Sequence, residues 1–516
     1  MTRRAPAPWA EYGLLALLAL YGTLPLVAML RHAGAADVVF AGADGPFVAD
    51  QFQYMTWIRE YGDHLLAANT LDVAAGDRVF FHPMFFVSGL GVRAGLSVEL
   101  TYLLWKPVAI AALFLAFRAY VWRFVEGAWP RLAALAIALF FASPLAALVD
   151  WAGVGSVARR DELNVAAGES FPASLLWGYL PAALSVALMP AFLLGVERIA
   201  RAERPAAREL AWVSACGALA SWLHPWQGEV LVLVVVAAVA LERFPRRRWI
   251  LAVPVGATAA PLFYYFALSR LDPDWELAQQ ANELQGQLPL WAALVALAPL
   301  VAVAAFGLRT MTESLGDRML LAFIPATLLV LVALSPSFPQ HALEGVSLPL
   351  GILAVRAAAR VPRPAAATAA LVAVLTLPGM AWWLDWMHDT VDAGGQPHYL
   401  QQGERDALEY LESEGQPGPL LTDAYLGSLV PVKTGRTTWV GHPSWTRGYD
   451  ERARQVAALL DGRMPRPQAV RVVRESRAAY ILVDCASART APGALRTLVG
   501  ERRQFGCASV YRVAPR

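Results

Sequence analysis

Eleven apolar stretches of about the length that crosses a bilayer dominate this sequence: residues 12–30, 98–121, 131–150, 173–195, 210–223, 226–241, 249–268, 289–307, 318–335, 343–359 and 365–386. Hydrocarbon offers backbone N–H and C=O groups no partner, so stretches of this kind must close their hydrogen bonds internally, as helices. Composition agrees: 57% of the 516 residues are hydrophobic, only 16% are charged, and mean hydropathy is +0.44, values foreign to a soluble enzyme of this length. The expected fold class is an α-helical polytopic membrane protein of about 11 transmembrane helices with a small C-terminal α/β domain. A net charge of +2 gives no case for nucleic acid. The two short stretches flanking His224 and Pro225 read as a tight hairpin, because together they are too long for one crossing.

Basic residues set the orientation. One set of connections carries Arg3 and Arg4; Arg118, Arg123 and Arg131; Arg198, Arg201, Arg204 and Arg208; Arg243 and Arg246 to Arg248; Arg309 and Arg318; Arg356, Arg360 and Arg363. The alternate short loops hold Arg159, Arg160 and Arg270. That bias expects a cytoplasmic N-terminus and, with an odd number of spans, an outer location for everything after residue 386. Residues 1–35 also carry marks of a signal peptide, but the apolar run is longer than a signal core, which favours an anchor. The expected domains are a transmembrane domain, 1–386, with a large first outer loop, 31–97, and an extracytoplasmic α/β domain, 387–516.

In the first outer loop, DQFQYMTWIREYGDHLL has apolar residues at helical spacing and suits a helix lying in the interface. In the tail, QQGERDALEYLESEG and YDERARQVAALLDG read as helices, and GPLLTDA, RTTWVG, AAYILVD and ASVYRV as strands. Their alternation is the pattern of a small α/β domain. Cys216, Cys485 and Cys507 have no metal-ligand spacing. With the tail in an oxidising exterior, a parallel pairing of YILVD with the strand around Arg503–Phe505 would bring Cys485 and Cys507 to one sheet end, within reach of a disulfide.

Three stretches, ADQFQYMTWIRE at 49–60, QHALEGVSLPLGILA at 340–354 and TGRTTWVGHPSWT at 434–446, stand in a layout that resembles the GT-C superfamily of membrane glycosyltransferases, in particular bacterial members with a small C-terminal α/β domain. The resemblance implies transfer of a sugar from a polyprenyl-phosphate donor to a glycan, lipid or protein acceptor at the outer face of the cytoplasmic membrane. Members often carry two adjacent acids in the first outer loop. Here Asp50 is followed by Gln51, which leaves one candidate base and little support for a divalent metal.

Each candidate has a plain structural reading beside the functional one. Asp50 is placed to activate an attacking hydroxyl, yet Asp50 and Gln53 also have capping-box spacing. Asp44, in GADG, reads as a turn residue. Lys106, inside the second span, is either a partner for a lipid phosphate or a snorkelling cation. His82 and His224, each followed by Pro amid aromatics, and His341, with Gln340 and Glu344 at the outer start of the tenth span, could meet phosphate or sit satisfied by backbone. Arg159 and Arg160 face outward against the charge trend, toward an anion or toward Asp161 and Glu162. The acids at 272, 274, 276 and 283 read as a solvated face. Trp439, His442 and Trp445 suit sugar stacking or the core of a small domain. The rival readings of the whole chain are a transporter or flippase of a lipid-linked intermediate and a non-catalytic membrane scaffold.

Overall fold

The computed structural model describes residues 8–74, 76–241, 248–285, 288–335, 337–413, 415–487 and 498–514. Arg3, Arg4, Arg243, Arg246 and Arg247 lie outside the described residues. The chain divides into two compact units, the first made of Met1–Leu24, Trp105–Phe266 and Glu283–His388, the second of Pro25–Leu104, Ala267–Asn282 and Asp389–Arg516.

Among the described residues, seven helices are long and apolar enough to cross a membrane: Trp9–Ala36, Val98–Phe124, Leu180–Arg201, Trp249–Leu271, Leu290–Thr310, Leu315–Leu334 and Pro364–Asp392. The pair Ala128–Phe140 and Pro144–Trp151, bent by 50°, makes an eighth if its two helices are taken as one span. The bend has a local cause. Pro144 cannot continue the hydrogen-bond ladder, and Ser143 caps the second helix by accepting the Ala146 N–H at 3.3 Å. The three remaining apolar stretches form the helices Ala207–Leu223, Pro225–Ala240 and Ser347–Ala358, of 17, 16 and 12 residues. At about 1.5 Å per residue the last is only about 18 Å long, short of the ~30 Å hydrocarbon core. The chain is thus a multi-pass membrane protein; His224 stands in extended backbone between two of the shorter helices, and His341 lies in the 3₁₀ turn Pro339–Leu343 ahead of the third.

Several arginines of the first unit are held by carboxylates. Buried Glu197 accepts from Arg123 at 2.7 and 2.9 Å and from Arg201 at 2.5 Å, and Asp317 pairs with Arg356 at 3.0 Å. Lys106 is only 2% exposed. Its ammonium donates to the Gly22 carbonyl at 3.1 Å and to the Leu176 carbonyl. Pro25, inside the first helix, has no N–H for the Tyr21 carbonyl four residues back, and the Trp177 indole donates to that carbonyl at 2.7 Å. Lys106 and Trp177 therefore satisfy neighbouring carbonyls on one turn of the first helix.

In the second unit, strands β1 (Val39–Phe40) and β2 (Tyr399–Leu400) pair antiparallel, joining the segment after the first helix to the tail. A four-stranded sheet follows from β3 (Leu420–Leu421), β4 (Tyr480–Val483), β5 (Val499–Phe505) and β6 (Ala508–Val513), in the order β3-β4-β6-β5. Only β3 and β4 are parallel. RTTWVG, expected as a strand, contributes a single bridge, Thr438 to Leu420. Cys485 and Cys507 form a disulfide with Cα atoms 4.8 Å apart, but the strand beside β4 is β6, antiparallel, not the 503–505 segment in parallel. Continuing the Val483–Ser509 register by two residues sets Cys485 opposite Cys507, in the β5–β6 turn at Gly506. The expected solvated acidic face is corrected at its two aspartates, while Glu276 is exposed. Asp272 and Asp274 are 8% and 3% exposed, and Asp274 accepts from Gly76 N at 2.9 Å and pairs with Arg447 at 2.6 Å.

Candidate active site

The helix Val48–Asp63 starts after Phe47, its N-cap residue, which makes no side-chain cap bond. Asp50 lies in its first turn rather than at the cap, where a carboxylate is favoured by the helix dipole. The capping-box reading therefore fails. The glutamine that ties this turn to the preceding loop is Gln51, which accepts from Asp44 N and donates to Asp44 O, while Gln53 is buried. Asp50 keeps its side chain 40% exposed, with Oδ1 3.8 Å from Nε2 of His442.

His442 is held for that approach. Its Nδ1 accepts the Ser444 N–H at 3.1 Å, which places the ring proton of the neutral imidazole on Nε2. That Nε2 is buried without a hydrogen-bond partner. Ser444 is fixed by Asn282 at 2.5 Å, and His442 and Gly441 donate their backbone N–H groups to Thr446 Oγ1. Trp445 packs edge-on against Trp57 and Trp275, with centroids 5.3 and 5.1 Å apart. One half-exposed carboxylate, a buried imidazole nitrogen 3.8 Å from it and a cluster of buried indoles thus share the second unit. Trp439 belongs instead to the tail core, beneath the Arg452 guanidinium at 3.9 Å.

The first unit holds a separate cluster. His224, in extended backbone before Pro225, and His341, in the 3₁₀ turn Pro339–Leu343, both place Nε2 near the Tyr179 hydroxyl, at 3.1 and 3.4 Å. On their other sides, His341 Nδ1 lies 3.0 Å from Glu169 Oε2 and 3.2 Å from Glu344 Oε1, and His224 Nδ1 lies 3.3 Å from Glu344 Oε2. Gln227 donates to Glu344 Oε2 at 3.1 Å and to the His341 carbonyl at 2.8 Å, and its Oε1 meets His224 Nδ1. Gln340 is buried beside His341 in the same turn. His224, His341 and Glu344 were candidates from the sequence. Glu169 and Tyr179 were not, and the available signal was a lone acid directly before an apolar span.

Other candidates are placed plainly. His82 caps the helix Pro83–Arg93 by accepting from Phe85 N, with its ring stacked 3.8 Å from that of Phe85. Arg160 pairs with Asp150 at 3.2 Å, not with Asp161 or Glu162, and donates to Gly155 O. Arg159 is exposed. Lys106 is committed to backbone carbonyls, as above.

No protein-family model matches the chain, and no curated protein matches it in sequence. Solved structures do. The archaeal oligosaccharyltransferase AglB from Archaeoglobus fulgidus, in complex with an inhibitory peptide and a dolichol-phosphate, aligns with 98% of this chain and 74% of its own at TM-score 0.55 and 10% identity. ArnT from Cupriavidus metallidurans, bound to undecaprenyl phosphate, aligns with 97% of this chain and 99% of its own at TM-score 0.52 and 13% identity. The arabinofuranosyltransferase AftD from Mycobacteria covers the whole chain with 42% of its own length, at TM-score 0.50 and 15% identity. The chain shares the fold of these three proteins.

Proposed function

We propose that this chain is a glycosyltransferase that moves a sugar from a polyprenyl-phosphate-linked donor to an acceptor at the outer face of the cytoplasmic membrane. The observation that carries the reading is the full-length match of its fold to ArnT, 97% of one chain on 99% of the other. ArnT and AglB were each solved with a polyprenyl-type lipid phosphate, and this chain shares their fold while keeping a half-exposed carboxylate in its first outer loop. The Cys485–Cys507 disulfide favours an oxidising, outer location for the tail. The working domains are the transmembrane body within 1–386 and the outer α/β domain 387–516.

In this reading Asp50 is the base. It takes the proton of the acceptor hydroxyl as that oxygen bonds to the anomeric carbon, while the bond from that carbon to the phosphate oxygen breaks and its electron pair leaves with the polyprenyl phosphate. His442 is a positioning residue, its Nε2–H orienting the carboxylate. Trp445 and Trp57, each 5% exposed, pack against one another and support this region as core. Lys106 and Arg160, expected to meet the lipid phosphate, are engaged with backbone carbonyls and with Asp150.

The test incubates purified protein with a panel of polyprenyl-phosphate sugars and follows release of polyprenyl phosphate. Asp50→Asn keeps the shape and the hydrogen-bonding oxygen but cannot take a proton, so turnover should fall by roughly two to four orders of magnitude with the fold unchanged. A well-folded Asp50→Asn protein with full transfer would remove Asp50 from the mechanism, and no consumption of any donor by the wild type would remove the enzyme reading.

A further inference from the structure

We propose that His224, His341 and Glu344 hold a divalent metal ion of the Zn²⁺ class, with Glu169 supplying a second carboxylate. The inference is independent of the sugar-transfer reading, because it rests on the donor set alone.

Ligand atoms of the three residues lie within 4.8 Å of one another, and all three residues are buried. The closest separations, 3.2 Å from His341 Nδ1 to Glu344 Oε1 and 3.3 Å from His224 Nδ1 to Glu344 Oε2, have the length of a tetrahedron's edge, while the set spans up to 4.8 Å and would draw in around an ion. Ligands about 2.0–2.1 Å from a common ion stand roughly 3.3 Å apart. Glu344 Oε1 is buried and makes no hydrogen bond, although a ring nitrogen lies that close. The nitrogen is near enough to share an ion with this oxygen but is not aligned to donate a proton to it.

The surrounding groups fix the rings in the sense a metal needs. The Tyr179 hydroxyl oxygen is within reach of both Nε2 atoms and can accept both N–H groups, which leaves each Nδ1 with its lone pair inward. Those lone pairs face oxygens. Gln227 spends its amide nitrogen on Glu344 and on the His341 carbonyl, so its Oε1 is turned to His224 Nδ1, and Glu169 Oε2 is turned to His341 Nδ1. With both rings in that tautomer, lone pair faces lone pair in a buried site, an arrangement that a cation between them relieves. Two buried carboxylates, Glu169 and Glu344, balance the two charges of the ion, and paired imidazoles select a metal of this class over Mg²⁺ or Ca²⁺. The ion would join three breaks in the bundle: the end of the helix Val157–Glu169, the turn at His224 and the 3₁₀ turn at His341.

The alternative occupant is protons, with an imidazolium at His341 between its two acids. The full chain in detergent, stripped with a chelator, is titrated with Zn²⁺ and separately with Co²⁺. Bound metal is measured by mass spectrometry, and the Co²⁺ visible spectrum reports the ligand geometry. The expected result is one ion per wild-type chain, a tetrahedral Co²⁺ spectrum and a melting temperature raised by Zn²⁺. Glu344→Gln and His341→Ala, each checked for a wild-type elution profile, should weaken binding by 100-fold or more and lose the spectrum. Tyr179→Phe, which removes only the orienting hydroxyl, should weaken it by about 10–100-fold. A folded wild-type chain that binds no metal, or binds it as tightly as Glu344→Gln does, overturns the proposal in favour of the protonated network.

Discussion

At the scale of single residues, burial decides which charges can act. Asp423 caps the helix Ala424–Thr434 by accepting from Leu426 N at 3.1 Å. Burial, reinforced by the charge of Asp484, pushes its carboxyl up to about 7. Below pH 4 both folded and unfolded chains carry the proton. Between about 4 and 7 the folded chain keeps it and the unfolded chain has lost it, so stability falls as pH rises and the loss is complete above 7. Asn caps as well as Asp and has no charge to bury. Asp423→Asn should therefore raise stability by about 2–4 kcal/mol at pH 8, have little effect at pH 4, and flatten the melting-temperature profile between. Glu404, shifted in the same direction by burial, leaves a residual slope. Equal melting temperatures for variant and wild type at pH 8 would show that the charge is not buried. The sequence made Asp50, His224, His341 and Lys106 visible through residue type and position, because ionisable groups at a membrane boundary need a reason. It could not show what each one meets. Lys106 meets carbonyls beside a proline turn of another helix, and Asp50 meets His442 across most of the chain's length.

At the scale of elements, periodicity and length carried the bundle, and pairing escaped them. All eleven apolar stretches are helical, but the single span read at 131–150 is broken at Ser143–Pro144, where the cap and the proline are local signals that could have found the bend. The helix Ala424–Thr434 was not read because it is apolar around most of its circumference and contains Pro431, so no amphipathic period marks it. Its ends were signalled, by Asp423 as cap and by Gly435 in the left-handed region at φ 68°. The sheet order depended on long-range pairing, for which a strand's own sequence holds little information. The disulfide still followed, because the β4–β6 register and the turn at Gly506 bring the same two sulfurs together. The bond closes a separation of 22 residues, for which loop entropy predicts about 3 kcal/mol of stabilisation. Cys485→Ser combined with Cys507→Ser should lower the stability of the tail by about 2–4 kcal/mol. Reductant should shift the melting of the wild type but not of the double variant. A wild type insensitive to reductant, with free thiols in its mass spectrum, would remove the bridge.

At the scale of the whole molecule, the distribution of arginine argues for one orientation and can be tested without any substrate. Arginine near a span tends to stay on the cytoplasmic side because carrying it across is unfavourable, and several of these arginines are held in place by acids, as Arg123 and Arg201 are by Glu197 and Arg356 by Asp317. Their side of the membrane should therefore be closed to an impermeant thiol reagent in intact cells. The native cysteines must first be removed, with Ala at Cys216, which is buried in the bundle, and Ser at Cys485 and Cys507. Single cysteines are then placed at Arg204, at Arg360 and at Arg247, the last outside the described residues, and a fourth at Glu409, exposed on the tail helix Gln402–Ser413. The expected pattern is labelling at 409 in intact cells, and labelling at 204, 247 and 360 only after the membrane is made permeable. The reverse pattern would place the Asp50 loop and the tail in the cytoplasm. The disulfide would then stand in a reducing compartment, and a lipid-linked donor would have to be met from the inner face. Labelling at all four sites in intact cells would mean that the number of crossings, and not only their direction, differs from the arginine pattern.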